Sequence, residues 1–172
     1  HYTTTKGAVK MHTLLDYDCL LPEFVNITDG KGSDNKAAYD IPVNPYSIVA
    51  ADRGYCDYSL LNHWDSNNVF FVVRHKDNIR YKTIRERPLP EKRAQNVLID
   101  EEVELEQPAA KKKYPKKLRR IAVWNDEHGF VVELLTNNFT LAASTIAAIY
   151  KARWNIEIFF RNLKQLLRIK SF

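Results

Sequence analysis

The first fifty residues alternate short extended-looking stretches with turn formers. Ala8 to Leu15 and Leu20 to Thr28 read as two strands, and the Asp16-Tyr17-Asp18 break between them suits a hairpin. Gly30, Gly32, Ser33, Asp34 and Asn35 read as a loop. Ser47 to Ala51 is a compact apolar run bounded by Pro45 and Gly54, the pattern of a buried strand. Past Asp57 the spacing changes. Leu60, Leu61 and Trp64 recur three to four residues apart, which predicts a short helix with Asp57 as its N-cap.

Residues 69 to 137 have another character. Val69 to Val73, Val97 to Ile99, Leu118 to Trp124 and Phe130 to Leu135 are candidate strands, separated by charged stretches. Arg74 to Arg93 carries eight Lys/Arg against three acids, Asp100 to Glu106 carries five acids, and Lys111 to Arg120 carries seven bases. The blocks alternate in sign, so much of this charge is expected to cancel between neighbouring strands. The segment reads as a β-rich insertion with a flexible tip near Pro108 to Pro115. The Lys111 to Arg120 run reads as a solvated loop that adds salt-dependent, non-specific affinity for nucleic acid.

From Thr140 to Phe172 there is neither Gly nor Pro, and Ile149, Ala152, Ile156, Phe159, Phe160, Leu163, Leu166 and Leu167 recur at helical spacing. One long helix is predicted, with Thr140 or Ser144 as N-cap and one apolar face buried.

Composition narrows the class. A chain of 172 residues is long enough for a sizeable core, and 45% apolar residues exclude a disordered chain. Cys19 and Cys56 make neither a disulfide framework nor a metal-ligand spacing, so two reduced thiols in a cytoplasmic protein are expected. No apolar run approaches a membrane span, and no signal peptide opens the chain. Residue 1 is His, as expected of a segment cut from a longer protein. The formal charge of +5 permits a nucleic-acid partner without demanding one.

The placement of that charge is more telling. With Tyr150 at zero and about 100° per residue, Arg153 falls at about 300°, Lys164 at about 320° and Glu157 at about 340°. Arg168 and Arg161 fall at about 0° and 20°, so all six share a stripe roughly 80° wide. Residues 151 to 170 hold six bases and one acid, Glu157. Ion pairs from Arg153 and Arg161 to Glu157 account for one or two of these bases and leave four over. A carboxylate inside a basic row is what phosphoryl transfer on DNA requires, provided a second acid shares the metal ions. Asp52, at the carboxyl end of the apolar run, is the best candidate, although an Asp ahead of Gly54 also serves simply to cap a turn.

Tyr150, Arg153, Glu157 and Lys164 stand with two, three and six residues between them. This Y-(2)-R-(3)-E-(6)-K pattern resembles the signature of the insertion sequence four family of bacterial DDE transposases. Lys6 to His12, Ile27-Thr28-Asp29-Gly30-Lys31 and Ala51-Asp52-Arg53-Gly54-Tyr55 resemble the same family in the same order. The resemblance implies a ribonuclease H-like fold, α/β in the α+β sense, with a mixed sheet, flanking helices and a β-rich insertion before the last catalytic helix. It divides the chain into residues 1–67 (the first part of the core, its opening strand truncated), 68–138 (the insertion) and 139–172 (the catalytic helix). It also implies two Asp and one Glu holding two Mg²⁺ ions, with Mn²⁺ as a substitute. Asp52 matches the second Asp and Glu157 the Glu, as metal ligands and catalytic residues. Tyr150, Arg153 and Lys164 grip phosphates of the transposon end, and Arg161 and Arg168 extend the row. The implied partners are double-stranded DNA, at transposon ends and target, and a second copy in the synaptic complex. No membrane is involved, and the site of action is the bacterial cytoplasm.

The sequence departs from the family at one point. The first catalytic Asp belongs upstream of the Lys-Gly-x-x-x-x-His segment, and none of the five residues before Lys6 is acidic. Asp16 and Asp18 follow the segment in the hairpin turn and do not replace it. The expectation is therefore a fragment with an incomplete metal site and no turnover. Val132 stands where some members carry a Trp that enters the base stack. Trp124 is expected to pack in the core or on the sheet, and His12 and His75 to be surface or strand histidines. Two other functions remain open at this point: a non-catalytic DNA-binding module derived from a transposase, and a ribonuclease H-like nuclease that cuts without joining.

Overall fold

The computed structural model describes residues 9–16, 18–19, 21–29, 34–75, 79–89, 96–127 and 129–168. Lys6 and Gly7 of the first family-like segment, Gly30 and Lys31 of the second, and Tyr17 of the hairpin turn lie outside the described residues. In chain order the elements are β1 (Val9–Leu15), β2 (Pro22–Asp29), α1 (Asp34–Ala38), β3 (Ile48–Ala51), α2 (Tyr58–Ser66), β4 (Phe70–Arg74) and β5 (Tyr81–Glu86). There follow β6 (Val97–Leu105), α3 (Pro108–Lys113), β7 (Leu118–Asn125), β8 (Phe130–Thr136), α4 (Ala143–Ala152) and α5 (Trp154–Leu167). They fall into two compact units, one of residues 1–42 with 152–172 and one of residues 43–151.

In the smaller unit β1 and β2 form the expected antiparallel hairpin, with Met11 opposite Ile27 and Thr13 opposite Val25. His12 is a strand residue but is buried, bonded through Nε2 to the Thr28 hydroxyl at 2.9 Å. Asp34 and Asn35, expected in a loop, open α1.

The larger unit is built on a six-stranded mixed sheet in the order β3-β4-β8-β7-β6-β5. β3 runs parallel to β4, and every other pairing is antiparallel. This mixed α+β architecture is the one expected of a ribonuclease H-like fold. Neighbouring residues on a strand point to opposite faces, and the core divides accordingly. On one face Val72, Ile121, Val132 and Leu134 pack against Ala143, Ile146 and Tyr150 of α4. On the other, Phe71 meets Trp64 of α2 at 6.4 Å between ring centroids and the edge of Tyr114 at 6.2 Å. Asp57 caps α2 as expected, accepting from the N–H groups of Ser59 and Leu60.

Several expectations are corrected. The Ser47–Ala51 run forms an edge strand, half-buried until Ala51, because only β4 flanks it. The tip at 108–115 is ordered as α3. Pro108 occupies the first helical turn, where its missing N–H is harmless, and alanines and lysines carry the helix on. Strand β5 was not anticipated, since an exposed edge strand such as Tyr81-Lys82-Thr83-Ile84-Arg85-Glu86 lacks an apolar alternation. The helix expected over 140–172 is two helices. Arg153, which keeps helical dihedrals (φ −51°, ψ −29°), stands between them. The apolar residues of α5 are also less covered than expected. Ile156, Phe159, Phe160 and Leu163 are half-buried, and Leu166 is 81% exposed. Trp124 lies on β7 but is 40% exposed, beside exposed Phe130 and Val131. His75 is buried and not at the surface.

Candidate active site

Asp52 follows the last residue of β3 and adopts an extended backbone (φ −77°, ψ 179°). Its Oδ1 accepts the Gly54 N–H at 2.7 Å, which starts a single 3-10 turn over Arg53–Tyr55. The turn-capping role is therefore real. The side chain is nevertheless exposed, and Oδ2 takes no bond among the described residues. A strand thus delivers a carboxylate to its carboxyl end, with one oxygen engaged locally and one open to a ligand.

Glu157 lies in the first turn of α5, where the helix dipole favours an anion. Its Oε1 accepts from Arg153 Nη2 at 3.1 Å, the intrahelical pair that the spacing allows. Arg153 also sets its guanidinium 5.3 Å from the Trp154 ring centroid. Glu157 is half-exposed and Arg161 is exposed, while Lys164 is partly covered; Arg168 ends the helix in the left-handed conformation (φ 53°). Glu157, Arg161 and Lys164 recur at helical spacing on one side of α5, and Arg168 lies just beyond its end. Tyr150 does not continue this row, because it belongs to α4 and is only 8% exposed within the core. Asp52 stands in the larger unit, and Glu157 with its basic row in the smaller. Among the described residues no group of three or more His, Cys, Asp or Glu side chains converges on a common point.

The most elaborate electrostatics lie elsewhere, where the charged blocks of opposite sign pair across neighbouring strands as expected, although Arg119 and Arg120 end the run expected to be a solvated loop. Arg119 and Arg120 are consecutive on β7 and point to opposite faces. On the α4 face, Arg119 is 1% exposed and grips both oxygens of Asp100 at 2.8 Å. Its Nη1 donates to the carbonyls of Asn138 (3.2 Å) and Leu141 (2.6 Å), in the segment that leads into α4. Arg87 assists, with Nε 3.6 Å from Asp100 and Nη2 donating to the Phe139 carbonyl at 2.9 Å. Glu102 is shared by Arg85 and Arg87.

On the opposite face Arg120 bonds Glu101 at 2.6 Å and Glu133 at 2.8 and 3.1 Å. It stacks over Tyr81 at 5.0 Å, and His75 approaches Glu133 at 3.7 Å. The Arg120 hydrogen bonds hold the Glu133 carboxyl below its usual range against the opposing effect of burial. Burial disfavours the Arg120 charge, but Glu133 and Glu101 outweigh it and raise the guanidinium further. Burial, helped by the Glu133 and Glu101 charges and opposed by Arg120, pushes the Tyr81 phenol up. The signal for these pairs was present in the sequence: the acid block Asp100–Glu102 lies directly opposite Arg119–Ile121 once β6 and β7 are in register.

Comparison with known proteins bears on the site as a whole. The family model described as "Transposase DDE domain" matches residues 2–172. A Sinorhizobium fredii protein named as the transposase y4zB is 36% identical over 168 residues, covering 95% of this chain and 46% of the relative. A Geobacillus stearothermophilus protein named as the transposase of insertion sequence element IS5377 is 28% identical over 170 residues, covering 99% and 44%. A Synechocystis protein named for element IS4SA is 26% identical over 167 residues, covering 94% and 45%. The chain thus spans somewhat under half the length of these relatives.

Proposed function

Because the chain belongs to the transposase DDE domain family, we propose that it forms much of the catalytic region of a bacterial insertion-sequence transposase that cuts DNA at transposon ends and joins the strands to a target. The observation that carries this reading is the family match over residues 2–172, with Glu157 as the one acid among the bases of residues 151–170. On this reading residues 68–138 form the insertion between the core segments 1–67 and 139–172.

The donor set suits a hard divalent cation. Asp52 and Glu157 each have one carboxylate oxygen engaged by an N–H and the other without a bond among the described residues. Such oxygens match Mg²⁺, or Mn²⁺ in its place. Divalent ions held there would supply Lewis acidity to an in-line displacement at phosphorus, two ions serving the attacking and leaving oxygens. The chain's own residues do the rest. Arg153, Arg161, Lys164 and Arg168 hold DNA phosphates, while Tyr150, packed in the core at the end of α4, is left out of that contact. The Arg153 guanidinium also fixes the Glu157 rotamer through their ion pair. Two carboxylates do not position two ions, so the 172-residue chain by itself binds metal weakly and does not turn over. The partners of the complete protein are duplex DNA and a second copy of itself, met in the bacterial cytoplasm. No helix among the described residues is long and apolar enough to cross a membrane.

The test uses the complete protein with DNA carrying its transposon end. Glu157→Gln removes the charge and keeps the shape. It is expected to abolish strand cleavage in Mg²⁺ and to leave end binding within a few-fold of the parent. Undiminished cleavage would defeat the assignment of Glu157. A second reading, a DNA-binding module without catalysis, is favoured by the lack of a three-carboxylate cluster among the described residues. It predicts that the unmutated complete protein binds end DNA and never cleaves it. A nuclease unconnected with transposition would cleave without joining.

A further inference from the structure

The Lys111–Arg120 run concentrates seven bases in ten residues, and the fold divides them among three tasks. Arg119 and Arg120 are buried in β7. Lys111 and Lys116 are engaged by Glu104 at 3.4 Å and Asp65 at 2.7 Å. Lys112, Lys113 and Lys117 are exposed, and among the described residues none of them forms an ion pair or hydrogen bond, although the Lys117 charge adds to the larger effect of Arg85 in holding the Glu102 carboxyl down against burial.

These three are mounted on a firm base. Ala110 and Tyr114 face inward from α3, and the Tyr114 N–H closes on the Ala110 carbonyl at 2.9 Å. Tyr114, 1% exposed, sets its edge against Phe71 and its hydroxyl against Asp65 at 3.3 Å. Burial and that carboxylate push its phenol pKa up, so it stays a neutral donor. With Ala110 inward, Lys112 lies about 200° away, directly outward, and Lys111 and Lys113 flank it. Pro108 and Ala109 are exposed and short, so no bulky side chain on α3 keeps a broad partner away. No acid occurs between Gln107 and Arg120. The lysines of this segment outnumber the acids that engage them, Glu104 and Asp65, and a surface with such a positive excess concentrates an anionic partner.

We propose that the outer face of α3, through Lys112 and Lys113, together with Lys117, is a second and sequence-independent contact for the phosphate backbone of duplex DNA, carried by a different element from the α5 row. It rests on the reading of the chain as part of a DNA transposase, and it assigns the contact to lysines that the Y-R-E-K signature does not include.

The test is a salt titration of the complete protein on duplex DNA of unrelated sequence. Each lysine that neutralises a phosphate contributes about 0.9 to the slope of log K against log salt. The triple variant Lys112→Gln/Lys113→Gln/Lys117→Gln is expected to flatten that slope by about 2 to 3 and to leave the urea midpoint unchanged. Lys→Arg at the same three positions is expected to restore the slope. An unaltered slope in the Gln triple, with Arg161→Gln/Lys164→Gln still flattening it, would overturn this proposal and leave the transposase reading intact. Absence of any DNA binding by the unmutated protein would overturn both.

Discussion

Asp100→Ala tests the deepest electrostatic feature of the larger unit. The change removes the two carboxylate acceptors of Arg119, at 2.8 Å each, and leaves a guanidinium that is 1% exposed without its counter-charge. Stripping one partner from a buried ion pair costs about 3 to 5 kcal/mol. The Arg87 Nε, 3.6 Å from the same carboxylate, loses its partner as well and keeps the effect toward the upper end. Arg119→Met acts differently. Asp100 retains Arg87, but the Asn138 and Leu141 carbonyls lose their donor, at about 1 to 3 kcal/mol for each buried acceptor left unsatisfied. Asp100→Ala/Arg119→Met removes both charges of the pair and leaves the carbonyl penalty and the lost Arg87 contact, so it should cost less than the sum of the single changes. Urea unfolding, followed by far-UV circular dichroism and intrinsic fluorescence together, measures all three. A loss below about 1 kcal/mol for Asp100→Ala, or additivity within about 0.5 kcal/mol, would refute the reasoning.

Other outcomes follow from the same geometry. Asp57→Ala leaves the Ser59 and Leu60 N–H groups uncapped and should lower the stability of the larger unit by about 0.5 to 2 kcal/mol in the same urea assay, with Asp57→Asn recovering most of it. Glu133 has its carboxyl pKa depressed in the fold by the hydrogen bonds from Arg120. Its contribution to stability is therefore complete above the ordinary glutamate value of about 4.3 and is lost as the pH falls through the depressed one. The urea midpoint measured from neutral to acid pH should drop below about pH 4, and Glu133→Gln should shallow that drop while lowering the plateau.

Much of the fold was legible because local pattern and tertiary context agree. The β1–β2 hairpin, the Asp57 cap and the strands β4, β7 and β8 each combine a clear period with turn or cap residues at their ends. Legibility failed where charge took the place of hydrophobicity. Strand β5 has little apolar alternation, and β6 runs on through Asp100, Glu101 and Glu102 because cross-strand arginines accept those acids. Helix α3 was obscured by its Pro and Lys content, yet Ala110 and Tyr114 four residues apart were the signal that it has a buried side. The break at Arg153 leaves no trace in composition, since every residue from Ala143 to Leu167 tolerates a helix. For the candidate site, helical spacing correctly placed Glu157 beside Arg153 and on one face with Arg161 and Lys164. It could not foresee that Tyr150 turns into the α4 core.

Changing the softness of one ligand tests the proposed sharing of catalytic metal ions by Asp52 and Glu157. The complete protein carrying Asp52→Cys presents a thiolate, which Mg²⁺ accepts poorly and Mn²⁺ accepts better. Single-turnover cleavage of end DNA should be lost in Mg²⁺ and partly restored in Mn²⁺, whereas Asp52→Ala should remain inactive in both. Full cleavage by either variant in Mg²⁺ would show that Asp52 holds no metal and that its carboxylate does no more than cap the turn at Gly54.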